Sequence, residues 1–217
     1  MATSRAHSPD YILLAATGIL VLIGIFMIMS ASPALGSVRF GEAYFFLKNQ
    51  LMGFAVGVGA LIACWRIHYT VWKKIAPFVL IGSLLLMALV FVPRIGIEVN
   101  GVARWISLGP VSVQPGEVTK LAFIIYLAAW LEAKRKDVRG FATGFVPFLV
   151  MIGIISVFFV LQPDIGTLGV LAAAATLLYF AGGGRLVQIG ILGGIGVLGL
   201  VALALTQQYR LDRLTVF

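Results

Sequence analysis

Seven stretches of this chain are apolar over roughly the length needed to cross a bilayer, and nothing else in the sequence restricts its folding as tightly. A spanning helix takes about 20 mostly apolar residues, and blocks of that kind run over 11–31, 45–65, 75–92, 115–131, 144–161, 167–182 and 186–206. Inside lipid each backbone N–H and C=O must find its partner within the segment, so such blocks fold as helices. The expectation is an all-α polytopic membrane protein, one membrane domain over 1–217, with its longest outer loop at 93–114. The first block exceeds the roughly 7–15 apolar residues of a signal peptide and is followed closely by further spans, so it reads as a retained anchor. Composition agrees, with 61% of the 217 residues hydrophobic and 11% charged. Soluble domains are about a quarter charged, and a soluble globule, a disordered chain and a disulfide scaffold are all excluded.

The single cysteine, Cys64, leaves no intrachain disulfide, and His7 and His68 lie too far apart to build a Cys/His metal cluster. The net charge of +8 fits cationic loops against anionic lipid, not a nucleic acid partner. Placing the N-terminus in the cytoplasm puts Arg5, Arg66, Lys73, Lys74, Lys134, Arg135, Lys136, Arg139 and Arg185 inside. Arg39, Lys48, Arg94, Arg104, Lys120, Arg210 and Arg213 then fall outside. Both dense basic clusters are inside in that orientation, as the bias of Lys and Arg toward cytoplasmic loops requires.

Several patterns look chemical and are read as structural. Gly194, Gly196 and Gly199 satisfy a dinucleotide-binding spacing, but they lie within an apolar run instead of joining a strand to a helix. Gly53 and Gly57 have the spacing at which spanning helices approach closely. His68 sits among Trp65, Arg66, Tyr69 and Trp72 in an interfacial belt, and Lys134-Arg135-Lys136 is a basic loop whose simplest role is topological.

Polar residues at the outer ends of helices carry more information. In the loop, turn formers surround Ala103-Arg104-Trp105-Ile106-Ser107-Leu108, a short amphipathic piece. Trp105 beside Arg104 suits the headgroup layer, either as an interface anchor or as part of a loop lying over a lipid-linked substrate. The fourth block opens Gln114-Pro115-Gly116-Glu117-Val118-Thr119-Lys120, with Pro in the first turn and an acid placed well for the helix dipole. Glu117 and Lys120, three apart, share a helix face and can pair, as a functional site or as a structural staple. The device recurs at Gln162-Pro163-Asp164-Ile165-Gly166-Thr167, where Asp164 can cap the helix, act in a site, or both. Two helix N-termini, two Gln-Pro turns, Arg104 and Lys120 would then suit a ligand bearing phosphate and hydroxyl groups.

In this order the segments 44–50, 100–106, 114–122 and 162–167 resemble the shape, elongation, division and sporulation family of bacterial membrane proteins, the FtsW/RodA polymerases. The closing Tyr209–Phe217 looks closer to the division branch, FtsW, than to the elongation branch. The resemblance implies a ten-span protein of the bacterial cytoplasmic membrane that polymerises lipid II into peptidoglycan strands. It also implies a class B penicillin-binding protein and other division proteins as partners, and a divalent cation such as Mg2+ or Mn2+. Two departures stand out. Val102-Ala103 precedes Arg104, where the family usually has a polar residue, and the family's catalytic aspartate is expected in a large outer loop that would begin near Asp212, which does not match it.

Glycan extension needs a base for the attacking hydroxyl and cations for the departing pyrophosphate. Arg104, Lys120 and Lys48 are the candidate pyrophosphate ligands; Trp105, Gln114, Glu117, Gln162 and Asp164 complete the substrate-binding set, and Asp164 is the weak candidate base. This chain is therefore expected to be an N-terminal portion that frames substrate without polymerising it alone. A lipid II flippase or transporter, which would use Glu117 and Lys120 as gating elements, and a non-enzymatic assembly subunit are the rival classes.

Overall fold

The computed structural model describes residues 10–93, 95–99, 102–108 and 111–205. Arg5, His7, Arg94, the turn pairs Asn100-Gly101 and Gly109-Pro110, and the segment 206–217 with Arg210, Asp212 and Arg213 lie outside them. Eight α-helices are described: α1 Tyr11–Ala31, α2 Pro33–Phe40, α3 Phe45–Arg66, α4 Tyr69–Leu89, α5 Pro115–Ala133, α6 Val146–Leu161, α7 Ile165–Ala181 and α8 Leu186–Leu205. A π-helical turn, Phe141–Phe145, runs directly into α6. Four helices, Tyr11–Ala31, Phe45–Arg66, Tyr69–Leu89 and Phe141–Leu161, are by length and composition able to cross a membrane without further help.

The structure alters the sequence reading in several places. The chain expected to form one domain divides into two compact units, Met1–His68 and Tyr69–Phe217. Within the first unit α1 and α3 bury none of their residues. Their exposed apolar surface faces what lipid would cover, because acyl chains satisfy Leu and Ile as well as a protein core does. The third block, placed at 75–92, is a helix over Tyr69–Leu89: Trp72, Lys73 and Lys74 are helical and extend the apolar segment toward the interface. Pro33 at the first helical position starts α2, a short helix that hydropathy did not distinguish from a loop.

The largest change is in the loop 93–114, which carries a β-meander: β1 Gly96–Val99, β2 Val102–Leu108 and β3 Val111–Val113, antiparallel in the order β1-β2-β3. Gly96 pairs with Ile106, and Ile106 with Val113.

The core of the second unit lies between α4, α5, α6 and α7. Phe123, Phe148, Phe159 and Tyr179 are fully buried there, and the ring of Phe148 stacks on Tyr179 at 4.5 Å. Helices α4 to α8 alternate in direction, so the second unit has two ends. One collects the start of α4, the α5–α6 loop and the α7–α8 turn. The other carries the meander, the start of α5 and the α6–α7 turn.

Candidate functional site

The meander end gathers four of the residues singled out above. Ile97 pairs with Trp105 and Glu98 with Ala103, so Arg104 is the extra residue of a β-bulge in β2, which re-aims its side chain; Ile106 is buried and Trp105 is 36% exposed. The half-buried Arg104 turns to the α6–α7 turn, where Nε donates to the Gln162 carbonyl at 3.0 Å and Nη2 to the Pro163 carbonyl at 2.6 Å. A carbonyl at the C-terminal end of a helix has no intrahelical donor. Arg104 supplies one to α6 and pins the meander to the turn. These contacts use two of the five N–H donors of the guanidinium.

Gln162, buried, sends its amide toward the Met87 carbonyl at 3.5 Å, tying the same turn to the end of α4. Asp164 is also buried and caps α7, one carboxylate oxygen accepting from the Thr167 backbone N–H at 3.4 Å. Its other oxygen accepts from the Gln114 amide, also at 3.4 Å. Gln114 is the N-cap of α5. The N-caps of two helices are thus hydrogen-bonded to each other, and two positive dipole ends meet at one point. Gly116 lies at this approach, where a Cβ would sit 3.1 Å from the edge of the Phe159 ring and the ring would have to give by a few tenths of an ångström.

Glu117 and Lys120 pair with each other at 2.8 Å on α5, with side chains 56% and 27% exposed. Among the described ion pairs neither joins Asp164, and Arg104 and Asp164 are not an ion pair; Arg104 spends its donors on carbonyls. The pair stands beside the cluster on the same first turns of α5, not inside it. Lys48 lies in the first unit at the start of α3, where it is exposed and pairs with Glu42. Both oxygens of Asp164 accept from protein donors, and among the described residues no group of three or more His, Cys, Asp or Glu gathers.

The chain as a whole has counterparts in known proteins. A family model described as cell cycle protein, spanning FtsW, RodA and SpoVE, matches residues 11–217. The chain belongs to this family. Stage V sporulation protein E of Bacillus subtilis is 34% identical over 215 residues, covering 99% of this chain and 59% of that protein. A probable peptidoglycan glycosyltransferase FtsW of Trichlorobacter lovleyi is 38% identical over 214 residues, covering 98% of this chain and 56% of that one. Among solved structures, the rod shape determining protein RodA of Thermus thermophilus superposes with a TM-score of 0.72 at 25% identity, covering 94% of this chain and 61% of that one. The family member described here is therefore an all-α, multi-pass membrane protein, and it spans between half and two thirds of the length of these relatives.

Sequence reasoning found Arg104, Gln114, Gln162 and Asp164 but missed what Arg104 does. The missed signal was Asn100-Gly101 between Val99 and Val102, the strongest short-range mark of a β-hairpin. Read as a strand, Val102–Leu108 is tied to the hairpin, but the bulge at Arg104 is visible only in the register of β1 and β2. The buried Ser83 and Thr119 were not singled out; the Thr119 hydroxyl donates to the Ser83 carbonyl at 3.3 Å and joins α5 to α4 just beneath the cluster. A hydroxyl within an apolar helix was the available clue.

Proposed function

We propose that this chain forms the substrate-framing part of a peptidoglycan glycosyltransferase of cell division, which polymerises lipid II at the outer face of the bacterial cytoplasmic membrane. The observation that carries the reading is the Gln114–Asp164 hydrogen bond between two helix N-caps, with Lys120 on the adjoining turn. Two helix N-termini with a nearby ammonium attract an anionic group such as a lipid-linked pyrophosphate. The Arg104 clamp holds the α6–α7 turn, and with it Asp164, at that point. Asp164 and Gln114 can then accept from and donate to sugar hydroxyls if the bond between them opens. Lys120 can offset the charge that develops as pyrophosphate leaves. The proton of the attacking hydroxyl needs a base; Asp164 is the candidate among the described residues.

The names carried by the curated relatives support this reading, as does a neighbour from a peptidoglycan synthase complex with the same fold, TM-score 0.71 at 24% identity. A class B penicillin-binding protein is the corresponding partner. The meander end is then exterior and the basic end cytoplasmic, as the charge bias requires. A fusion reporter should read as cytoplasmic at residue 136 and exterior at residue 98.

The test is lipid II polymerisation by the whole gene product with its crosslinking partner. Asp164→Asn and Arg104→Ala should abolish glycan strands, and Arg104→Ala should also release the α6–α7 turn to proteolysis. Normal polymerisation by both variants would overturn the proposal. Lipid scrambling without polymerisation would favour the transporter class instead.

A further inference from the structure

We propose that the basic end of the second unit is a preformed seat for the phosphate groups of anionic phospholipids. Lys73, Lys74, Lys134, Arg135, Lys136, Arg139 and Arg185 are all exposed at this end. They face two described acids there, Glu132, which pairs with Lys73 at 2.9 Å, and Asp137.

A loop that serves only to set topology needs charge and no fixed shape. This one is fixed. Val138, 1% exposed, inserts into the core between the cations on either side of it. Its carbonyl accepts from the Tyr179 hydroxyl at 2.9 Å. The neighbouring Arg139 carbonyl accepts from the Gln188 amide at 3.3 Å, and the Asp137 carbonyl from the Thr143 hydroxyl at 3.0 Å. Gln188 is buried, and its side-chain oxygen accepts from the Arg185 backbone N–H at 2.9 Å, the half of a capping box that starts α8. One glutamine therefore holds both basic loops, 134–140 and 182–185, in a set relation. Gly144 permits the closest approach, since a Cβ there would lie 2.1 Å from the Val138 carbonyl oxygen.

The apolar surroundings select the ligand. Phe141, 61% exposed, follows Arg139 by two residues, and Leu186 and Val187, each 73% exposed, follow Arg185 directly. Cations adjoining exposed apolar side chains at the ends of membrane helices match an amphiphile, with phosphate on the guanidinium and acyl chain along the helix. A soluble acidic peptide would match the charge and leave the apolar neighbours unused.

Native mass spectrometry of the full chain in neutral detergent, titrated with phosphatidylglycerol or phosphatidylcholine, tests this. Phosphatidylglycerol should bind at least about tenfold more tightly, and salt should erase the difference. Each basic residue near an anionic lipid surface is worth up to about fivefold (about 1 kcal/mol), so the K134A/R135A/K136A variant, losing up to about a hundredfold, should lose the preference for phosphatidylglycerol while phosphatidylcholine binding is unchanged. Tyr179→Phe and Gln188→Leu keep every charge and should still weaken phosphatidylglycerol by about three- to tenfold, because the loops lose their preorganisation. Circular dichroism separates that from misfolding, and the exposed triple variant decides the lipid assignment without them. Equal affinity for both lipids, or unchanged phosphatidylglycerol binding by the triple variant, overturns the proposal. Full phosphatidylglycerol affinity in both pin variants overturns the preformed seat. Tight binding of polyglutamate with no lipid preference overturns it in favour of an acidic peptide.

Discussion

The two ends of the second unit are both polar, yet they are built in opposite ways. At the basic end the charged side chains point outward, and neutral groups, Tyr179 and Gln188, do the buried work of fixing the backbone. At the meander end charged groups are drawn in: Arg104 and Asp164 are half-buried or buried, and their polar atoms are spent on carbonyls, an amide and a helix cap. Drawing in a charge is costly unless every donor and acceptor is met, and among the described residues no buried side-chain polar atom lacks a partner. The difference teaches where chemistry is placed. An end that only presents charge to a surface keeps its cations in the interface. An end that draws its charged groups inward fixes them by hydrogen bonds, as polar groups beside a membrane require.

Substitutions at four positions probe that contrast. Gly144→Ala forces a methyl into the Val138 carbonyl and should cost about 3 kcal/mol, seen as a lowered unfolding temperature in detergent. A neutral effect would show that the basic loop is not held at all. Arg104→Ala strips the donors from two carbonyls and should cost about 2–3 kcal/mol, and Arg104→Lys should restore little, because one ammonium cannot reproduce a fork spanning two acceptors. Full rescue by Lys in a thermal melt would reduce Arg104 to a simple point charge. Tyr179→Phe removes one buried hydroxyl and should cost about 1–2 kcal/mol, with protease cutting of the 134–140 loop as the direct readout. Lys120→Ala should cost least, about 0.5 kcal/mol, because the pair it breaks is partly exposed at i,i+3 spacing. A loss of several kcal/mol would mean that the pair is shielded in the working protein and belongs with the buried cluster after all.

The helices themselves were legible because a bilayer leaves the backbone no alternative to internal hydrogen bonding. Their starts were legible where a cap or a Pro marks them: Pro115 and Asp164 open α5 and α7 in the structure as the sequence suggests. The beginning of α4 was not, since Tyr69-Thr70-Val71-Trp72-Lys73-Lys74 is amphipathic and hydropathy alone does not separate an interfacial turn from an interfacial loop.

The polar residues of the site could be picked out along the chain, because an Asp, Arg or Gln beside an apolar span is conspicuous wherever it lies. Their partners could not. Arg104 meets Gln162 and Pro163 across nearly sixty residues, and Gln114 meets Asp164 across fifty. What the sequence by itself determined was the set of rods, their order and the chemical character of their ends, since these follow from composition over a window of residues. What only the tertiary structure decided was which end groups touch, because a hydrogen bond depends on tenths of an ångström. Those distances arise from the turn of a β-strand, the gap left by a glycine and the packing of distant helices, none of which is local in the chain.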